Sequence, residues 1–386
     1  MPNSLAAALF PFATAKLIAS SDHQSGLNMF RTVDQHVINV VLLCFLVSVK
    51  EVEPNPRIFS GHPITETPPI NGTPASSPRL NLHWDGTAGY LSGALSTLVI
   101  PVIYLLVVTV GIPANIAILS LLVTKIRKVS SSILYCSLAV SDLLLLLSLL
   151  FKAHYHLHGN HWVLGETACR VVTACFYGNL YCSALTLGCI SIKRYLAAVH
   201  PFMYKGLPKR TCTVCASLAV WGVFGTAVLP ELLVRQTYWV PELNITTCHD
   251  VLPADQDSHR FLLYYTLVLN VLCLLAPLLV SAVCFTKVIR ELSASHYDWA
   301  MYIKSSSLVF AIFLLCFLPA GVLHFLHYVH LFVGGTEGLY VYFNVAVCLC
   351  CLHACLDPFL YLCMSRSTGR RLRVLTFKGK TLSLSV

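Results

Sequence analysis

Seven stretches of this chain are too long and too apolar to sit in a water-soluble fold. They run at approximately 96–123, 132–152, 168–192, 211–233, 262–289, 305–330 and 339–363, each near the ~20 residues a helix needs to cross the hydrocarbon of a bilayer. Inside lipid a spanning segment must satisfy its own backbone hydrogen bonds, so runs of this length dictate helices. The fold class that follows is an all-α membrane protein, a seven-transmembrane helix bundle. Composition agrees, because 56% hydrophobic against 11% charged residues leaves too little polar surface for a soluble globule.

Lys and Arg fix the orientation, since positive loops stay on the cytoplasmic side. The segments after spans one, three, five and seven hold seventeen of the twenty-six. The N-terminus is therefore extracellular and the C-terminus cytoplasmic, as in a multi-pass plasma-membrane protein. The net charge of +9 is a topology signal. No basic stripe lies in a soluble domain, which excludes a nucleic-acid partner.

The chain divides into four parts. Residues 1–49 read as an upstream extension and a signal peptide: Val37 to Val49 has the length of a signal core, and Met29 with Arg31 ahead of it is the expected working start. The alternative for that run is a further span or anchor. Residues 50–95 are rich in Pro, Ser, Thr, Asn and Gly without apolar periodicity, an extended and disordered extracellular stem. Residues 96–363 are the membrane domain and 364–386 a short cytoplasmic tail. Asn71 and Asn244 head glycosylation sequons in the stem and in the loop after span four.

Most of the seventeen Cys fall in apolar spans, where the thiol behaves as a small hydrophobe. Cys169 and Cys248 differ. One starts span three and the other lies in the loop between spans four and five, both in an oxidising compartment, so a disulfide is expected between them. Cys350, Cys351, His353 and Cys355 could be read as metal ligands, but helical spacing scatters them around the cylinder.

Ionisable groups inside a membrane are costly and mark function. Asp142 in span two and Asp357 in span seven are such groups, with Asn115 in span one and Ser183 in span three able to face the same interior. Together they can hydrogen-bond across helices and hold water or a sodium ion; the alternative is four separately satisfied packing residues. Pro230, Pro277, Pro319 and Pro358 lie within spans and are expected to kink them.

These motifs combine into a resemblance covering about three quarters of the chain. GIPAN at Gly111 to Asn115, LAVSD at Leu138 to Asp142, the Cys169 and Cys248 pair, Arg194-Tyr195 ending span three, Trp221, Pro277, CFLP at Cys316 to Pro319 and DPFLY at Asp357 to Tyr361 resemble the rhodopsin-like G-protein-coupled receptors. ITTCHDVLP, HGNHWVLGE and FYGNLYCS resemble the proteinase-activated, or thrombin, receptors, and HPFMYKGLPK and LDPFLYLCMS resemble the third branch of that family.

The resemblance implies that a serine protease, thrombin or another trypsin-like enzyme, cuts the stem and that the new N-terminus acts as a tethered agonist. In EPNPRIFSGHP the cut falls between Arg57 and Ile58 with Pro56 at the preceding subsite, and the agonist begins Ile58, Phe59, Ser60, Gly61, His62, Pro63. A buried carboxylate in a trypsin-like specificity pocket takes arginine through a charge-assisted fork. Ile58 is bulky beside the cut, and the downstream stem offers only Glu66 and Asp85 to thrombin's basic exosite. Arg79 is the second candidate cut. The expected receiver comprises Tyr177, Tyr181, His249, Asp250, His327, Tyr328, Tyr340 and Phe343, with Asp250 meeting the new ammonium and the aromatic residues meeting Phe59. Arg194, Tyr195, Asp142, Asn115, Ser183, Asp357, Pro358 and Tyr361 would carry the signal to a heterotrimeric G protein. No cofactor and no catalytic residue is implied.

Three positions depart from the family pattern. Lys193 stands where a carboxylate usually restrains Arg194, Phe285 where span five usually has a tyrosine, and Phe317 where span six usually has a tryptophan. Weak coupling would make the protein a co-receptor that docks protease for another receptor of the same family. A transporter is the remaining alternative, but internal repeats and a polar pore stripe are not apparent. R|IFSG resembles a zymogen cut, yet no protease domain follows, so an enzyme is not expected.

Overall fold

The computed structural model describes residues 60–63, 78–82, 85–123, 130–253, 257–293, 300–332 and 338–362. Pro56, Arg57, Ile58, Phe59, Asn71, Met29 and the tail lie outside these, as does the side chain of Tyr328. Seven helices are long and apolar enough to cross a membrane: Leu95–Val123, Ser131–Leu157, Gly165–Val199, Lys209–Leu233, Tyr264–Ser293, Tyr302–His327 and Leu339–Leu362, spans 1 to 7 below. Span 3 is the central pillar, with 72% of its most apolar window buried, and span 4 is peripheral at 22%. Lipid removes the hydrophobic drive between helices, so close approach of backbones holds such a bundle. Gly178 shows it: a Cβ there would come within 2.5 Å of Val228 and 2.7 Å of Phe224 on span 4.

Proline acts here through widened or interrupted turns. It lacks an N–H and clashes with the carbonyl four residues back, and a π-turn makes room for it. Such turns span Leu95–Val99 before Pro101, Asn270–Leu275 before Pro277 and Phe313–Phe317 before Pro319. Ahead of Pro358, span 7 is interrupted at Cys351 and Leu352, where three-residue bonds such as Ala354 N–H to Cys351 O replace the α pattern. Pro230 sits inside an unbroken helix one turn from its end, so the kink expected in span 4 is not expressed as a break.

The extracellular loop after span 4 forms a hairpin whose strands are Thr237–Val240 and Ile245–Cys248. Its tip carries Asn244, exposed and at φ 54°. Three anchors hold it over the bundle mouth. Cys169 and Cys248 are bonded, with Cα atoms 5.8 Å apart. The Glu166 carboxylate accepts the backbone N–H groups of Gln236 and Thr237 at 2.8 and 2.9 Å. Thr246 N–H donates to His161 Nδ1 at 3.0 Å, and Trp162 N–H donates to Thr246 O at 2.8 Å.

The stem joins this lid. Strand Ser60–Pro63 pairs antiparallel with Leu80–Leu82 and parallel with Leu252–Pro253, in the register Ser60↔Leu252 and Gly61↔Pro253. Leu82 N–H reaches the Glu242 carboxylate at 2.9 Å, and Trp239 N–H reaches Pro78 O at 3.1 Å.

Candidate functional site: the extracellular mouth and its path inward

Asp250 is the centre of the outer site. It follows His249, whose φ of 71° turns the chain sharply after the disulfide and aims both side chains into the mouth. The Tyr155 hydroxyl donates to Asp250 Oδ2 at 2.8 Å, and the Tyr340 hydroxyl donates to Oδ1 at 3.1 Å. One carboxylate thus joins the outer ends of spans 2 and 7 through the lid. Burial and then the Asp250 charge push the Tyr90 hydroxyl well above its ordinary value, which keeps it a neutral donor.

His249 packs its ring 5.1 Å from that of Tyr177 and shares a hydrogen bond with Gln236. His327 lies 5.5 Å from Tyr340 and is stacked 5.9 Å from Phe343, with His324 stacked on the same Phe343 at 4.6 Å. Of the expected receiver, Tyr177, His249, Asp250, His327, Tyr340 and Phe343 therefore line one region. Tyr181 does not join them. One turn deeper on span 3, it packs with Ala227 of span 4 and Cys273 of span 5.

Two buried charges in this region escaped the sequence reading. Lys152 in span 2 is 9% exposed, its ammonium 4.6 Å over the Phe176 ring. Glu231, 7% exposed, bonds Gln236 and stands 4.0 Å from His249. The rule that singled out Asp142 applies equally to Lys152 in LLFKAH.

Below lies the mid-membrane cluster. Ser183 donates to Asp142 Oδ1 at 3.3 Å, and Asn179 donates to Ser183 and Ser141 at 3.2 and 2.8 Å. His353 and Asp357 from span 7 stand against Asp142. Asn115 reaches span 7 instead, donating to Ala354 O at 2.8 Å. Of the set Cys350, Cys351, His353 and Cys355, only His353 enters a group that could hold a metal, and its companions there are the two aspartates.

At the cytoplasmic end Arg194 is buried and donates to the Tyr135 hydroxyl at 3.0 Å, while the Tyr302 hydroxyl donates to its carbonyl at 2.7 Å. Tyr361 packs 6.1 Å from Tyr135, and Tyr195 bonds His200. Lys193 turns away from Arg194 and donates to Ser130 and Thr213 at 3.2 and 3.0 Å. Phe285 stacks on Phe310 at 4.7 Å, and Phe317 covers His353 at 4.8 Å.

The family described as 7 transmembrane receptor (rhodopsin family) matches residues 114–361. Proteinase-activated receptor 3 of Homo sapiens is 43% identical over 292 residues, covering 76% of this chain and 78% of the relative. Proteinase-activated receptor 2 of Homo sapiens is 36% identical over 71% of this chain and 70% of the relative, and proteinase-activated receptor 4 of Rattus norvegicus 36% over 84% and 79%. With its seven spans, a hairpin lid tied by Cys169 and Cys248, and this degree of identity, the chain belongs to the proteinase-activated receptors, multi-pass plasma-membrane receptors of the rhodopsin family that signal through G proteins rather than catalyse.

Proposed function

We propose that thrombin cuts this receptor after Arg57 and that the freed Ile58-Phe59-Ser60-Gly61-His62-Pro63 segment is its tethered agonist, with the new ammonium meeting Asp250. The observation that carries this reading is the strand register. Ser60 pairs with Leu252 and Gly61 with Pro253 in parallel, so continuing the same offset in the cut chain matches position 58 with Asp250. A carboxylate already holding two tyrosine hydroxyls can exchange one of them for an ammonium, a stronger charge-assisted donor. Phe59 would then enter the Tyr177, His327 and Phe343 aromatic group. The tether supplies an effective concentration of about a millimolar, enough for a weak peptide.

The same contacts favour Arg57 over Arg79. A protease needs a segment free to pair with its cleft, and Arg79 is already bridged to Trp239 beside the buried Leu80. Pro56 suits thrombin, while Ile58 and the sparse acidic stem would slow it and give other trypsin-like enzymes an opening. Asn71 and Asn244 are the proposed glycan sites.

A second reading is favoured at the cytoplasmic end. Lys193 leaves Arg194 without an adjacent carboxylate, and Phe285 brings no hydroxyl to it, so coupling is weak and the receptor docks protease for another family member. One experiment separates the readings. Cells expressing wild type or Arg57→Gln, tagged ahead of the stem, receive thrombin and a trypsin-like panel, and tag release and calcium are read together. Release and calcium both lost in Arg57→Gln support the agonist; release without calcium supports the co-receptor; release unchanged by the substitution rejects the site.

A further inference from the structure

The cytoplasmic end of the bundle holds a buried cation without a counter-charge. Arg194, in the last turns of span 3, is 5% exposed, and a guanidinium keeps its charge and its N–H donors in any protein. It donates to the Tyr135 hydroxyl at 3.0 Å and reaches Ser306 Oγ of span 6 at 3.5 Å, the long limit of a hydrogen bond, while its Nε–H has no partner among the described residues. The cytoplasmic segments carry Glu291 and Asp298 as their acidic side chains against seventeen Lys and Arg. Glu291 is exposed, and Asp298 lies outside the described residues. A charge taken out of water and left unpaired is costly. Arg194 also lines a small cavity between spans 3, 5 and 6. Ser191, Ser281 and Ser306 form its polar side, and Phe285 and Phe310, stacked 4.7 Å apart, its apolar side. Ser281 donates to Ser191, and Ser191 donates to the Leu187 carbonyl, each at 3.0 Å, so both of those protons are spent. Ser306, accepting from Arg194, keeps an O–H to donate. A guanidinium N–H and a hydroxyl around one cavity, with no carboxylate in its lining, are the donor set of an anion.

We propose that Arg194 and Ser306 hold a single chloride ion in this cavity. Charge selects a monovalent anion, because one guanidinium balances one negative charge and a second would be left buried and unpaired. Size selects a monatomic one: the cavity takes about one water-sized group, too little for sulfate or phosphate. The neighbouring side chains offer no substitute. Phe285 lines the cavity without a hydroxyl, and Lys193 sends its ammonium away to Ser130 and Thr213. The ion therefore stands in for a carboxylate at position 193, holding the guanidinium inward by a charge-assisted hydrogen bond and joining span 3 to span 6 through Ser306. Arg194 stands at the cytoplasmic end, so the ion comes from the cytosol. This site rests on neither reading of the stem.

The test uses full-length receptor in lipid nanodiscs at constant sodium, with chloride exchanged for gluconate or sulfate, reading thermal unfolding and bound radioactive chloride. Chloride is expected to raise the unfolding temperature above that in either other anion and to bind at one equivalent. Apparent chloride affinity should fall at least about 10-fold in Arg194→Gln, the loss expected of a charge-assisted hydrogen bond, and several-fold in Ser306→Ala. Lys193→Gln should keep the chloride effect, since that ammonium is engaged by Ser130 and Thr213. Lys193→Asp supplies a carboxylate beside Arg194 and should abolish the effect in a folded receptor. The unfolding transition verifies that each variant is folded, and Lys193→Asp carries the test where Arg194→Gln does not fold. Absence of a chloride effect, an equal effect of sulfate, or a chloride effect that survives unchanged in Arg194→Gln or Lys193→Asp would overturn the proposal. So would its loss in Lys193→Gln to the same degree as in Arg194→Gln, which would assign the ion to the lysine.

Discussion

Asp250 and the pair Asp142 and Asp357 are carboxylates of one bundle held under opposite conditions. Asp250 stands at the mouth, each oxygen already accepting a tyrosine hydroxyl, and exchange of one donor for another costs it little. Asp142 and Asp357 stand in the dry middle, with three of their four oxygens unpartnered by geometry among the described residues and the His353 ring beside them. The outer site has its donors in place and faces the mouth; the inner one is closed off from it by the helices around it. On the proposed reading, the first can take up a new N-terminus without rebuilding the core, while the second joins spans 2, 3 and 7 where a two-state bundle would rearrange.

The largest way to break this contrast is to deny the outer site its ligand. Arg57→Gln should abolish protease-evoked stem release and leave the response to added IFSGHP peptide intact, as measured by tag shedding and calcium. Next is the receiver itself. Asp250→Asn keeps one oxygen to accept a tyrosine hydroxyl, presents an amide N–H to the other hydroxyl and loses its charge, and charge-assisted hydrogen bonds contribute roughly 1.5–3 kcal/mol, so peptide potency should fall about 10- to 100-fold with surface expression unchanged.

How much of this was legible in advance differs between the two sites. The seven spans, their orientation and the Cys169 and Cys248 pair could be read from apolar runs and charge placement, because lipid leaves so few solutions. Asp142 and Asp357 announced themselves as charges in hydrocarbon, and Lys152 could have done so by the same rule. His353 could have been paired with Asp357, four residues on and on the same helix face, whereas its approach to Asp142 of span 2 needed the packed bundle. Tyr181 failed to join the mouth because of depth: it is one turn below Tyr177 on the same face of span 3, where Ala227 of span 4 and Cys273 of span 5 pack against it. Glu166 gave no signal, because its partners are backbone N–H groups that become available only once the lid hairpin has formed.

Smaller effects sharpen the comparison. Glu166→Ala strips the lid of acceptors for Gln236 and Thr237; a several-fold loss of peptide potency and a lowered unfolding temperature are expected, with Asp250 otherwise intact. At the cytoplasmic end, Lys193→Asp places a carboxylate beside Arg194 and should lower basal signalling about two- to threefold, read as agonist-free G-protein activation.

The central claim is that the freed ammonium meets Asp250, and a double-mutant cycle measures that directly. On an Arg57→Gln background, free and N-acetylated IFSGHP are titrated on receptors that keep Asp250 and on receptors that carry Asp250→Asn. If the two groups pair, acetylation costs about 10- to 100-fold with Asp250 in place and almost nothing after the substitution. Equal losses on both receptors would mean that the ammonium and Asp250 act independently, and would contradict the account.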